Sequence, residues 1–184
     1  MSTTGTSCAG LGAHSRVSMT DAQPAAPTPV DRDALARELE ETRTAYHALL
    51  NSLAPEDWNK KSANPAWNVR QLMWHVTWGT AYVPRFVEES RRGKAFRPPQ
   101  LIFNAVNPLI TRLGSRSASA ASLAAKYDAV HTAILAKLKE VRDDEWQNGV
   151  ATYGQFNTVE NAFRLASRHF AEHRADILKG LGRG

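Results

Sequence analysis

Apolar residues recur at three- and four-residue intervals in four long segments of this sequence, and this period most constrains its fold. In the first segment, residues 33–52, the stripe consists of Leu35, Leu39, Tyr46, Leu49 and Leu50. Such spacing places side chains on one face of an α-helix. Similar stripes mark a second segment from Asn68, a third at 119–141 and a fourth from Asn157 or Thr158. Four amphipathic helices bury these faces by packing together, so the sequence predicts an all-α four-helix bundle.

The start of the second helix carries the clearest local signal. Asn68 is a good N-cap, and Gln71, three residues later, completes a capping-box pattern. Asn157 and Glu160 repeat this pattern at the start of the fourth helix. Pro84 falls inside the apolar pattern of the second helix, and proline cannot donate the backbone hydrogen bond of a helix interior. We therefore expect a kink or a break at Pro84.

Two long connections separate the predicted helices. Residues 93–115 contain three prolines and Gly114, which predicts a crossover with at most one short helix after Pro108. Crossovers of this length often contribute to binding sites. Residues 142–156 form the second connection, and only a few residues around 150–153 show the alternation of a strand. The predicted architecture is therefore a bundle with long crossover connections.

The first 30 residues are rich in Ser, Thr, Ala, Gly and Pro and contain almost no large apolar side chains. Such a segment cannot bury enough surface to offset the entropy lost on ordering. We predict a disordered extension at 1–30 and one bundle domain at 31–184, with Met19 as an alternative start to Met1. The single cysteine, Cys8, cannot form an internal disulfide, and no secretory signal is recognisable, so a cytoplasmic location is expected.

The net charge of +5 raises the question of nucleic-acid binding. However, Lys and Arg are interleaved with Asp and Glu along the predicted helices. The densest basic run follows Glu89 at a helix end, where cations complement the helix dipole, and comprises Arg91, Arg92, Lys94 and Arg97. No apolar run of about 18 residues is present. The sequence therefore predicts neither a nucleic-acid partner nor a membrane span.

The fourth helix carries two histidines, His169 and His173, on its apolar face. A spacing of four offsets them by about 40° around the helix and about 6 Å along it. His75 lies at the margin of the apolar stripe of the second helix, and Gly79, one turn later, leaves room for a close neighbour. Three imidazoles brought together could bind zinc, nickel, iron or copper and leave one coordination position open. On spacing alone, however, ordinary bundle histidines are the stronger interpretation.

The other polar and aromatic candidates have simpler explanations. Glu172 is rotated by about 100° from His173 and is expected to face solvent. His47 and His131 flank core stripes and are interpreted as boundary residues. Loop and core packing accounts for four tryptophans that could otherwise wall a pocket, namely Trp58, Trp67, Trp74 and Trp78.

Two stretches resemble the DinB/YfiT-like family. Residues 67–76, WNVRQLMWHV, resemble the opening of that family's second helix, whose histidine is the first metal ligand. Residues 168–177, RHFAEHRADI, resemble its last helix, whose paired histidines complete the site. Residues 33–180 follow the family's order of elements, and relatives include the N-terminal domain of mycothiol-dependent maleylpyruvate isomerase. The occurrence of both motifs in the right order carries this resemblance.

The resemblance implies a divalent metal (zinc, nickel or iron) on His75, His169 and His173, with water at a remaining position. Characterised members of the family include enzymes that use a low-molecular-weight thiol, mycothiol or bacillithiol. It therefore implies a thiol-dependent transferase, or a related metal-dependent enzyme, that acts on a small molecule. The alternative is a bundle that binds a ligand or partner without catalysis, and long bundle faces could also pair into a homodimer. No motif assigns a particular thiol or electrophile.

Overall fold

A computed structural model describes residues 29–95, 98–152 and 154–184. These residues form six α-helices and a two-stranded antiparallel sheet. The helices are α1 (Arg32–Ser52), α2 (Val69–Thr80), α3 (Val83–Arg92), α4 (Gln100–Gly114), α5 (Ala120–Glu140) and α6 (Val159–Gly180). The strands are β1 (Gly149–Thr152) and β2 (Gln155–Thr158). The predicted extension at 1–30 lies almost wholly outside the described residues, as do Arg97 and Tyr153.

The predicted four-helix bundle is confirmed. Helix α1 packs against α5 and α6, while the consecutive helices α2 and α3 pack against the other side of α6 and against α5. At the centre, the rings of Tyr46 and Tyr127 stack with centroids 3.8 Å apart, and both side chains are buried. Among the described residues, no helix is both long and apolar enough to cross a membrane.

The second predicted helix is interrupted, as the position of Pro84 indicated. Helix α2 begins with the expected capping box, in which Asn68 accepts from the Gln71 amide and Gln71 accepts from the Asn68 amide. It ends at Thr80, and α3 starts at Val83. Pro84 has no N–H to donate to the Thr80 carbonyl, so one helical hydrogen bond is missing at this point, which favours the break. The two pieces together serve as one member of the bundle.

The long crossover predicted at residues 93–115 is present, but the prediction that its helix is short and follows Pro108 was wrong. Helix α4 runs from Gln100 to Gly114, with Pro108 in its interior. Packing on α2 compensates for the hydrogen bond that Pro108 cannot make, because Thr111 is fully buried and Gly114 lies directly against the Trp74 ring. A Cβ at position 114 would come within 2.1 Å of that ring.

The second connection contains more structure than the sequence indicated. Strands β1 and β2 form a hairpin in which Val150 pairs with Asn157. Asn157 belongs to this hairpin, and its side-chain amide donates to the Thr152 hydroxyl. It therefore does not cap the fourth helix. Thr158 takes that place by accepting from the Asn161 amide. The predicted capping box of Asn157 with Glu160 was therefore wrong by one residue.

Candidate metal centre

His75 is held inside the bundle by the part of α2 that packs most tightly. Val69, Leu72, Met73 and Val76 of the same helix are fully buried. Their spacing fixes the rotation of α2, and His75 consequently faces α6 with only 7% of its surface exposed. Sequence reasoning had placed His75 at the margin of the apolar stripe, whereas the side chain is buried.

The two histidines of α6 lie one turn apart on the side that contacts α2. His173 is buried and His169 is half-buried. Glu172, between them in sequence, is exposed as expected from its rotation around the helix. The helix pair therefore directs all three imidazoles into one space and leaves this carboxylate outside.

The structure brings His75, His169 and His173 together into one cluster. One ring nitrogen from each lies within 4.8 Å of the others, and Nε2 of His75 is 3.1 Å from Nε2 of His169. Two imidazole ligands of a tetrahedral zinc, with Zn–N bonds of about 2.0–2.1 Å, stand about 3.3 Å apart. The separation of this pair therefore matches what a tetrahedral ion requires.

Burial keeps two of these imidazoles neutral at neutral pH. Burial, reinforced by the neighbouring His169 and His173, lowers the pKa of His75 to about 3. Burial, reinforced by His173, lowers the pKa of His169 to about 4. A neutral imidazole offers the nitrogen lone pair that a metal ion binds. His75 and His169 are consequently in their ligating form without any change of protonation.

Groups behind the histidines fix which nitrogen faces the cluster. The His173 Nδ1 lies 3.2 Å from Oδ2 of Asp176, so an Nδ1–H donates to this carboxylate and Nε2 keeps its lone pair. The Thr111 hydroxyl lies 3.5 Å from Nδ1 of His75, at the limit of a hydrogen bond. Carboxylates in this role orient metal-binding histidines and raise their basicity. Sequence reasoning missed Asp176, although its place three residues after His173 was a usable signal.

Two further residues shape the cluster from the sides. The indole of Trp67 lies against His75, with ring centroids 4.4 Å apart. Gly79 lies under His169, and a Cβ at this position would come within 2.7 Å of the ring carbon Cε1. The room that Gly79 was expected to leave is therefore filled by a histidine of the cluster.

A cavity of about 500 Å³ opens beside the cluster and reaches His75 and His169. Helices α2, α3 and α4 contribute most of its wall, and Leu165 and Ala166 of α6 complete it. Its volume lies within the range of small-molecule sites, about 300–1,000 Å³. The crossover thus contributes to a cavity through α4, which begins earlier and is longer than the predicted short helix.

The expectation that all four tryptophans serve only packing holds for some of them. Trp58 belongs to the core, and Trp74 stacks on Trp78 with centroids 5.6 Å apart. Trp78 itself lines the cavity. His47 and His131 lie apart from the cluster, with His47 2.8 Å from Asp128 and His131 3.3 Å from Glu40.

The sequence matches the family profile of the DinB superfamily over residues 38–177. A crystal structure of the mycothiol-dependent maleylpyruvate isomerase is similar with a TM-score of 0.63 and 13% identity, over 80% of this chain and 61% of that chain. This chain therefore spans about three fifths of the isomerase. No curated protein sequence matches it.

Two smaller proteins match over most of their own length. YfiT from Bacillus subtilis, described as a probable metal-dependent hydrolase with an unusual four-helix bundle topology, gives a TM-score of 0.67 at 18% identity, over 86% of this chain and 91% of YfiT. An uncharacterised protein from Escherichia coli UTI89 gives 0.63 at 16% identity, over 85% and 94% of the two chains. These similarities establish the shared fold.

Proposed function

Because the chain belongs to the DinB superfamily, we propose that it is a metal-dependent enzyme acting on a small molecule. In this proposal His75, His169 and His173 bind one divalent ion (zinc, nickel or iron). The observation that carries the proposal is the position of the cluster at the end of a cavity: two of the three imidazoles form part of the cavity wall. A molecule in the cavity would therefore meet the ion directly.

The donor set fits such an ion. Three imidazole ligands leave at least one coordination position for a further ligand, as in catalytic zinc sites. An ion held there would lower the pKa of a bound thiol or water and so activate it as a nucleophile. The chain's own groups position this site: Asp176 holds the proton on Nδ1 of His173, and Gly79 admits the ring of His169.

We further propose that the activated nucleophile is the thiol of a low-molecular-weight cofactor of the mycothiol or bacillithiol type. The fold shared with a mycothiol-dependent isomerase supports this choice. In the reaction, the sulfur of the deprotonated thiol would form a bond to an electrophilic carbon of the small molecule and displace its leaving group, and the thiol proton would pass to solvent. The basic run at the end of α3 does not favour a nucleic-acid partner over a small molecule, because Arg91 and Arg92 both pair with Glu88 and Arg91 also pairs with Glu145.

The second candidate function is a bundle that binds a ligand without catalysis. The cavity favours it as much as it favours an enzyme, because a ligand site of this volume needs no metal. The two candidates differ in what they require of the histidines. Catalysis needs the ion and the open coordination position, whereas binding needs only the apolar wall.

A thiol-transfer assay distinguishes the two. The protein, loaded with zinc, nickel or iron, is mixed with mycothiol, bacillithiol or glutathione and with 1-chloro-2,4-dinitrobenzene, and release of chloride and loss of thiol are followed. We expect turnover with at least one thiol, abolished in a His169→Ala/His173→Ala variant and retained in His47→Ala, whose histidine lies outside the cluster. A metal-loaded protein that transfers none of the thiols would favour the non-catalytic bundle.

A further inference from the structure

The cavity beside the histidine cluster has a lining that is almost entirely apolar. One wall is a row of aromatic rings at intervals of four residues, and the opposite wall is provided by aliphatic side chains of α4. The residues that define these walls are Trp78, Tyr82, Phe86, Ile102, Val106 and Ile110. The aromatic row continues across the break between α2 and α3. Trp78 and Tyr82 meet edge to face with centroids 4.8 Å apart, and Tyr82 and Phe86 are 6.1 Å apart.

Fixed charge is nearly absent from this lining. Among the described lining residues, Arg85 is the one with a permanent charge. Its side chain is mostly exposed, and its Nε donates to Oε1 of Glu89 at 2.8 Å. The Thr80 hydroxyl is used within the helix, where it donates to the Val76 carbonyl, and the Asn107 carboxamide is uncharged. Away from the histidines, an ionised group would therefore exchange water for apolar surface, which is costly without a paired charge.

We propose that the substrate bound in this cavity is an uncharged aromatic compound. The inference rests on the proposed function for the statement that the ligand is a substrate, but the choice of ligand class rests on the lining alone. Aromatic rings prefer edge-to-face or offset-stacked partners, and the row from Trp78 to Phe86 offers both faces and edges. Ile102, Val106 and Ile110 supply an aliphatic surface across from it. The site thus selects an aromatic electrophile without carboxylate, phosphate or sulfonate groups in the part that lies between the aromatic row and α4.

A matched pair of fluorescent probes tests the ligand class. N-phenyl-1-naphthylamine is uncharged, and 8-anilinonaphthalene-1-sulfonate carries the same ring system with an added sulfonate. Both are titrated into the protein as purified and after removal of metal with a chelator, and the emission increase is fitted for affinity and stoichiometry. We expect one site for the uncharged probe, and binding of the sulfonate to the metal-free protein weaker by about tenfold or more, because its charge then has no unpaired partner in the lining. Equal affinity, tighter binding of the sulfonate, or no binding of the uncharged probe would overturn the proposal.

Two neighbouring residues of α4 locate the bound probe. Ile110 lines the cavity, whereas Leu109 does not; the two side chains are 37% and 56% exposed. Ile110→Glu places a carboxylate in the cavity wall and should lower the affinity for the uncharged probe by about tenfold or more. Leu109→Glu should change that affinity by less than about twofold. Val106→Gln is a second cavity variant for the case in which Ile110→Glu does not fold, as judged by circular dichroism. Equal weakening by Leu109→Glu would place the probe on the exposed face of α4 and contradict the inference.

Metal content, measured on the same samples, separates this inference from the proposed function. A protein that holds no metal but selects the uncharged probe would contradict the enzyme and leave the ligand class standing as that of a binding bundle. A protein that holds stoichiometric metal but does not select the uncharged probe would contradict the ligand class and leave the metal-dependent enzyme standing.

Discussion

At the scale of single residues, the contact of His173 with Asp176 has the most direct consequence for metal binding. Asp176→Asn removes the charge that holds the proton on Nδ1 of His173. Loss of such a carboxylate lowers metal affinity by about 10- to 100-fold, so we expect a decrease of that size for zinc in competition with a fluorescent chelator. Glu172→Gln on the exposed side of α6 is the matched control and should retain the wild-type affinity. Equal affinities of all three proteins would show that Asp176 does not orient His173.

The buried carboxylate of Asp57 makes the free energy of unfolding depend on pH. Its carboxylate is 1% exposed and accepts from Lys60, from Arg183 and from the Ala54 amide. The hydrogen bond from Lys60 is the main cause that lowers the pKa of Asp57 to about 2. Because the folded pKa lies below the unfolded value of about 3.9, the stabilisation is fully present above about pH 5 and is lost as the pH falls toward 2.

Asp57→Asn is therefore expected to lower the free energy of unfolding near pH 7, and to lower it less and less below about pH 4. Urea unfolding at a series of pH values measures this difference. Glu56→Gln, a change at the exposed neighbouring residue, should have little effect at any pH. A destabilisation by Asp57→Asn that is the same at pH 3 and pH 7 would contradict the account.

At the scale of elements, the approach of α6 to α2 depends on Gly79. Relative to glycine, alanine at this position would stabilise the helix by about 1 kcal/mol. Its Cβ, however, would collide with the His169 ring. We expect Gly79→Ala to keep its helix content by circular dichroism and to bind zinc at least about tenfold more weakly, because the ring must move away from His75. Gly180→Ala is the control, since its Cβ would meet the backbone of Ser62 at the far end of α6. It should lower thermal stability and leave zinc affinity unchanged.

Elements with local signals could be predicted from the sequence, and elements held by distant contacts could not. The cap at Asn68 and the break near Pro84 depend on groups within a few residues, so the amino-acid types were sufficient. Helix α4 instead runs through Pro108 because Gly114 and Thr111 pack on α2, and nothing near Pro108 in the sequence indicates that contact. The candidate site shows the same difference between local signals and distant contacts. Spacing alone put His169 and His173 on one face, but nothing near Trp78 in the sequence distinguishes it, as a residue that lines a cavity, from a tryptophan of the core.

At the scale of the whole molecule, the candidate site exists only when the bundle is assembled. His75 comes from the second segment of the chain and the other two histidines from the last, so folding must bring together residues that are 94 apart in sequence. An ion bound to all three would therefore link α2 to α6 and stabilise the folded chain by mass action. We therefore expect the cluster to bind such an ion in the folded protein.

Metal content of the purified protein tests this claim most directly. The protein is prepared without a histidine tag and analysed by inductively coupled plasma mass spectrometry, beside His169→Ala/His173→Ala and the His47→Ala control. We expect near-stoichiometric zinc, nickel or iron in the wild type and in His47→Ala, and none in the double variant. A wild-type protein that stays empty after incubation with each of these metals would contradict the account, and the three histidines would then be ordinary residues of the bundle.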